Sequence, residues 1–418
     1  MASWPELVID PDDLGALVAA EANAGRRKAM GDGVTHGAVD YEFPAALPCA
    51  WRLWYAGTAD GGGACLISSS AERRAAFGRS VEVVDGDLRR AALVALGCCG
   101  AARAGGRVEY LDSKRAVDER SRCRVVASAV VDAVKRLAAG CGGVLRIVDV
   151  GAGTLSMLAP MTAILLRAEV SGVEVEYVAV DSDPALLAAG TAQLDGAVWT
   201  QHGAGAAAEW RRAAPRMILR CVAQDAFAFA QAGAAFHVVV ANAFADLAAP
   251  PVVAALLDRL CAAADAVAYL PITFDGKTWL DPPLVDFDAD AFEAYHAFLR
   301  DCEHQHVDAD ALAVACAAES AGAQKFRLVA RGGSDWRLDL RRDAFARSIS
   351  DFVCAAVPPW CLAGRGAQAD ADARARGAAA MHWARLLRAE IDGTAAPDAN
   401  ARALCAANVD FLFERPRP

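Results

Sequence analysis

The chain has 418 residues, 55% of them apolar and 22% charged, so it can bury a core and does not read as a disordered polypeptide. Its formal net charge is −10 and its basic runs are short (Arg120, Arg122 and Arg124; Arg211, Arg212 and Arg216), which argues against a nucleic-acid partner. No segment approaches the ~20 apolar residues that span a bilayer, so no membrane partner is expected either.

The 13 cysteines are odd in number and irregular in spacing, with no CxxC pair. They read as small core residues in a reducing, cytoplasmic compartment, not as a disulfide framework or a zinc ribbon. The opening MASWPELVIDPDD has neither a basic n-region nor an apolar h-region, so it is not a secretory signal.

Taken in chain order, Trp51 to Thr58 reads as a strand followed by a turn at Gly61 to Gly63. Ala71 to Phe77 and Leu88 to Leu96 read as helices, and a linker ends at Gly106. Residues 1–106 form an extension of unassigned role. Ser121 to Ala139 is amphipathic at helical spacing, and Val144 to Val150 is a short apolar strand. Leu155 to Ala168 is helical. Val175 to Val180 is a second strand, and Pro184 opens the helix after it.

Met217 to Val222, Phe236 to Ala241 and Ala266 to Thr273 give strands three to five, with a helix over Pro251 to Ala264. Helices over Ala289 to Arg300 and Asp310 to Ala321 precede strand six, Gln324 to Ala330. Helical stretches at Arg342 to Ala356 and Ala369 to Glu390 form an excursion over about 342–400, and Asn408 to Phe413 alternates as a last strand. Strands alternating with helices predict an α/β fold over 107–418: a mostly parallel seven-stranded sheet, helices on both faces, and the last strand antiparallel. Such sheets bind ligands beyond the carboxyl ends of their strands. Asp181, Asp225, Asn242 and Asp275 all follow strand ends.

The sharpest motif is Asp149-Val150-Gly151-Ala152-Gly153-Thr154, between the first strand of that sheet and a helix. Glycines there let backbone turn tightly and approach a ligand. A dinucleotide fingerprint would place a third glycine where Ser156 stands, and Asp149 would repel a pyrophosphate. An acid at this place suits a ligand with a cationic amino-acid end, such as S-adenosyl-L-methionine. These residues resemble the class I methyltransferase pattern: D-x-G-x-G after the first strand, an acid after the second and another after the third. The resemblance implies a Rossmann-like fold and a cofactor held by Asp149, Gly151, Gly153 and Thr154 at the methionine end. It further implies Asp181 with Ser182 at the ribose, and Asp225 with Ala226 at the adenine.

Weaker motifs in order resemble one bacterial group within that family. They are Tyr110 to Arg122 (YLDSKRAVDERSR), NAFADL from Asn242, Thr273 to Gly276, Ser334 to Leu338 and Val409 to Phe413. The resemblance covers about 107–418. It adds Arg122 to the cofactor site and says nothing of the substrate.

On the acceptor side, Asn242 follows the fourth strand, where class I enzymes often place the residue nearest the methyl group. Asp246 suits a polar acceptor or caps a helix, and Asp275-Gly276 reads as a turn. His296 is the preferred general base, since imidazole titrates near neutral pH. Trp279 and Trp336 suit an apolar pocket or the core. His304 and His306 lack a third ligand, so no metal is expected. The expected activity is methyl transfer to a small-molecule acceptor. The alternatives are an NAD(P)-dependent oxidoreductase on a similar sheet and a non-catalytic cofactor-binding or scaffold protein.

Overall fold

A computed structural model describes residues 106–205, 208–263, 265–302, 308–318, 326–362, 369–394 and 402–416, together with the backbone of four strands between residues 28 and 68. Those strands, β1 (Lys28–Met30), β2 (Val34–Tyr41), β3 (Trp51–Gly57) and β4 (Gly63–Ser68), form an antiparallel sheet in sequential order. The strand expected at Trp51 to Thr58 is β3. The helices expected at 71–77 and 88–96 lie outside the described residues, as do His304 and His306.

The chain forms two compact units. One comprises Arg107–Trp279, His304–Leu338 and Ala403–Pro418, and the other Met1–Gly106, Leu280–Glu303 and Asp339–Arg402. Residues 280–303 therefore join the helical excursion expected over about 342–400 in one unit.

The first unit is built on a ten-stranded sheet. Its strands are β5 (Val144–Val150), β6 (Glu174–Asp181), β7 (Thr200–His202), β8 (Glu209–Arg212), β9 (Met217–Ala223), β10 (Val238–Val240), β11 (Val267–Asp281), β12 (Arg327–Gly333), β13 (Trp336–Asp339) and β14 (Ala403–Glu414). The spatial order is β12-β14-β11-β10-β5-β6-β9-β8-β7, with β13 beside β14. Strands β9, β6, β5, β10 and β11 pair in parallel, and β14 runs antiparallel to β12. Among the seven main strands, the order is that of a doubly wound sheet into which the last strand slots between the fifth and sixth. This is the expected fold. The hairpin of β7 and β8 is an antiparallel addition at the β9 edge that the sequence did not announce, because TQH and EWRR are polar.

Alternation along the strands separates two cores. Leu145, Ile147, Val175, Tyr177, Ala179 and Leu219 face one side with Val130, Val134, Met161 and Leu165. Val148, Val150, Val180, Val239 and Leu270 face the other with Leu256, Leu257 and Leu312. Period-two burial on both faces is what near-continuous apolar strands dictate. The helices of this unit are α1 (Gly106–Ser121), α2 (Arg124–Gly140), α3 (Leu158–Arg167), α4 (Pro184–Ala192), α5 (Ala226–Ala230), α6 (Pro250–Leu260) and, following α7 of the other unit, α8 (Ala309–Ala317).

The helix expected at 121–139 is α2, and a further helix, α1, precedes it, the two separated at Arg122 and Cys123. Cys123 is extended (φ −66°, ψ 115°), and its N–H leaves the helical ladder to donate to Asp410 Oδ2 at 2.8 Å. Helix α1 escaped hydrophobic-pattern reading because the face it buries is polar. Strand five also runs on to Asp281 instead of ending at Thr273. Gly276 (φ +74°) carries it past the expected turn, and the Asp275 carboxylate accepts from the Ala309 N–H at the start of α8.

In the other unit, α7 (Asp288–Cys302), α9 (Ala344–Leu362) and α10 (Ala369–Ile391) are the described helices. Trp383 is fully buried, meets Phe292 edge-on at 5.6 Å and donates Nε1–H to Asp288 at 2.8 Å. Buried Glu390 accepts from Arg402 at 2.7 Å and from Arg341 at 2.9 Å. Among the described residues no helix is long and apolar enough to cross a membrane.

Candidate active site

Strand β5 delivers Asp149 to the sheet's carboxyl end, and the chain then turns through Gly151 (φ +66°) and Gly153 (φ +52°). A Cβ on Gly151 would lie 2.6 Å from Phe244 Cδ2, so only glycine lets the loop after β10 lie against this turn. The Ala152 N–H donates to the Val180 carbonyl at 3.0 Å, and the Gly153 N–H to Asp181 Oδ2 at 2.8 Å. Asp181 Oδ1 accepts from the Asp183 N–H at 2.9 Å. The acid ending β6 therefore braces the glycine turn, a structural duty the motif alone did not show. Its oxygens retain further lone pairs for hydroxyl donors.

Asp225 follows β9 beside it, since the Gln224 N–H donates to the Asp181 carbonyl at 2.9 Å. Exposed Asp225 caps α5 by accepting from Ala228 N–H at 2.9 Å, with Ala226 buried behind it. Asp149, Asp181 and Asp225 thus stand at the ends of three adjacent parallel strands. Ser182 is exposed at the same edge.

Asp149 is 1% exposed. Its Oδ2 accepts from the Tyr177 hydroxyl at 2.9 Å, while Oδ1 is buried without a partner. Burial pushes its pKa up to about 7; the Tyr177 bond opposes the rise, the Asp181 charge adds to it, and the Arg122 guanidinium opposes it. Nε and Nη2 of Arg122 are also buried without partners. Its charge acts on Asp149, Tyr177, Tyr269 and Asp410. The Tyr269 hydroxyl beside it is buried without a partner as well.

Asp410, on the last strand, is the main residue that sequence reasoning passed over. Fully buried, it accepts from Cys123 N–H and Ile272 N–H, each at 2.8 Å. It thereby ties the α1–α2 break to β11 at a β-branched residue held at φ +55°. Burial raises its pKa and these hydrogen bonds oppose the rise.

Tyr110, Lys114 and Asp118 on helix α1, and Arg122 just past its end, recur at four-residue spacing, which puts them on one face. Lys114 pairs with Asp118, both buried, and its ammonium lies 5.0 Å from the Trp336 ring centre. Asn242 Nδ2 donates to Asp118 Oδ2 at 3.2 Å. Tyr110, half-buried as a residue, has its hydroxyl pKa raised by desolvation first, then by the Asp118 and Asp246 charges. Asn242 and Asp246 are therefore gathered against α1, and Trp336 is a buried packing partner there. Trp279 is partly exposed. A neighbouring face of α1 grips the glycine turn: Thr154 Oγ1 donates to Asp112 at 3.2 Å, and Arg115 donates to the Thr154 carbonyl at 3.0 Å.

His296 lies on α7, in the other unit, beside Tyr295 at 5.7 Å. Burial, and then the charge of Arg300, lowers its pKa to about 4. Among the described residues no group of three His, Cys, Asp or Glu side chains is placed to hold a metal ion.

The fold and site define a doubly wound α/β protein with acidic side chains at the ends of three adjacent parallel strands. No family model and no curated protein matches the sequence. Solved structures similar to it include a protein of Bacillus halodurans described as a methyltransferase, at 14% identity and TM-score 0.36 over 69% of this chain and 99% of that one. YcgJ of Bacillus subtilis follows at 12% and 0.35, over 70% and 99%. The plantazolicin methyltransferase BpumL, in complex with SAH, is similar at 10% and 0.31, over 79% and 99%. At such values the likeness carries no argument about activity.

Proposed function

We propose that the chain is an S-adenosyl-L-methionine-dependent methyltransferase acting on a small molecule. The observation that supports this best is a pair of buried opposite charges that the protein leaves incompletely bonded: Asp149 Oδ1, and Nε and Nη2 of Arg122. A buried polar group without a partner costs about 1–3 kcal/mol, and more when charged. The ammonium and carboxylate of an α-amino acid would satisfy both sides at once. A dinucleotide pyrophosphate would meet the Asp149 carboxylate and be repelled, which disfavours the oxidoreductase alternative.

In this reading Gly151, Gly153 and Thr154 offer close backbone to the methionine end. Asp181 and Ser182 take the ribose, and Asp225 and Ala226 flank the adenine. The bound cofactor supplies an electrophilic methyl group on a cationic sulfur. The protein's task is to hold the acceptor in line and exclude water. Asn242 and Asp246, on the loop that covers Gly151, are assigned to the acceptor. His296 receives no step, because an imidazole of pKa about 4 holds a proton weakly near neutral pH.

Calorimetry with S-adenosylmethionine and S-adenosylhomocysteine tests the proposal. Saturable binding that Arg122→Met weakens at least about tenfold is expected, from loss of a charged hydrogen-bond donor set. Absence of heat at about millimolar ligand would overturn it.

A further inference from the structure

Next to the proposed cofactor site lies a second polar cluster, in which two buried acceptor oxygens have no donor. Asp118 is 1% exposed. Its Oδ2 takes the Lys114 ammonium and the Asn242 amide, while its Oδ1 is buried with no partner. A carboxylate only accepts, so the Asn242 NH2 faces Asp118 and the Asn242 Oδ1 faces elsewhere. That oxygen too is buried with no partner. The nearby carboxylate of Asp246 is buried and acts, with Asp118, on Tyr110. Asp118 Oδ1 and Asn242 Oδ1 are thus two buried acceptors in want of donors.

Its place is fixed by two continuities. Asp118, on α1, sits one turn before Arg122 at the helix's end, and Asn242 sits two residues before Phe244, whose ring lies on Gly151.

We propose that this cluster is the acceptor subsite and that it selects an amine: a small molecule whose nucleophilic nitrogen donates hydrogen bonds to Asp118 Oδ1 and Asn242 Oδ1. An amine or ammonium offers two or three donors to these oxygens, whereas a hydroxyl offers one and a carboxylate none. The inference rests on the cofactor reading above. In the step itself, the bound ammonium first gives one proton to the free oxygen of Asp118, which passes it to water, and the nitrogen lone pair so freed forms a bond to the methyl carbon. The carbon–sulfur bond breaks and its electron pair stays on sulfur, leaving a neutral thioether. The nitrogen, cationic again, leaves as the methylated ammonium.

Three probes matched in shape test this on the full chain saturated with S-adenosylhomocysteine: 2-phenylethylamine, 2-phenylethanol and 3-phenylpropionate, each followed by ligand-observed NMR titration. The amine should bind at least about tenfold more tightly than the alcohol, as expected for a hydrogen-bonded charge, and the carboxylate weakest. Asp118→Asn should erase the preference.

Because that change strips Lys114 of its partner, Asn242→Ala is the companion variant. It keeps the Lys114–Asp118 pair and should cut amine affinity while leaving thermal unfolding and S-adenosylhomocysteine affinity near those of the parent. Equal binding of amine and alcohol, preference for the carboxylate, no binding of any probe to the cofactor-loaded protein, or a preference that survives both variants would overturn the inference. Failure of S-adenosylhomocysteine to bind would instead sink the cofactor reading on which it stands.

Discussion

Replacing Asp149 by Asn should make the ligand-free protein more stable at alkaline pH while making it a poorer cofactor binder. The carboxyl pKa rises from 3.8 to about 7 on folding, so the folded state holds this proton more tightly than the unfolded chain. In such a case stability is greatest below pH ~4, falls as pH climbs through the window to ~7, and stays lower above it. The rise is equivalent to about 4 kcal/mol, an upper bound because buried sites relax and admit water. Asparagine keeps an oxygen for the Tyr177 hydroxyl and never ionises.

The expected gain at pH 8 is therefore between about 1 and 4 kcal/mol, seen as a Tm several degrees above the parent, with the two proteins converging near pH 4. S-adenosylmethionine affinity, measured on the same samples, should fall by at least about tenfold, since an ammonium loses its carboxylate partner. In the parent, that affinity should rise with pH through ~7 as Asp149 ionises; in the variant this dependence should vanish. A variant less stable than the parent at pH 8, together with undiminished affinity, would show that Asp149 is a structural acid and that the assigned pocket is wrong.

Other expectations follow from the same geometry. Gly190→Ala places a Cβ 2.7 Å from the Thr154 carbonyl carbon, which is backbone of the glycine turn and cannot swing aside. It should cost about 1–3 kcal/mol in chemical denaturation and weaken cofactor binding, and a neutral result would show that α4 does not press on that turn. Asp181→Ala should do two things at once: it leaves the Gly153 N–H unpaired, at about 1–3 kcal/mol, and it lowers cofactor affinity in calorimetry. Asp410→Leu should destabilise by more than about 2 kcal/mol through two orphaned backbone donors, and a smaller change in urea unfolding would count against the knot it forms between Cys123 and Ile272.

What the sequence made legible was whatever hydrophobic period and glycine chemistry write plainly. The strand at Val144–Val150 is apolar in five of seven positions and ends at D-x-G-x-G, so both the strand and its turn could be read directly. Asp149, Asp181 and Asp225 fell at adjacent strand ends because each closes an apolar run of the kind that pairs in parallel.

Helix α1 was hidden for the opposite reason. Its inward face is Tyr110, Lys114 and Asp118, continued by Arg122 just past its end, so its burial is paid in hydrogen bonds and charge rather than in apolar area, and no apolar stripe betrays it. The legible signal was the four-residue repeat of polar residues just ahead of the amphipathic α2. Asp410 was hidden too. Within Val409 to Phe413 it looks like an alternating solvent-side residue, and only the break at Cys123 and the positive φ of Ile272 create the backbone donors that it buries against. Polar groups that a fold buries are specified by where other chain segments end, which is non-local information. Arg122, Asp149, Asp118 and Asn242 are among those that keep buried atoms unbonded. A protein that only needed stability would have filled those positions with apolar side chains at little cost. In the proposed reading they are the groups that cofactor and acceptor complete, which is why the variants at Asp149 and Asn242 test that reading and not stability alone.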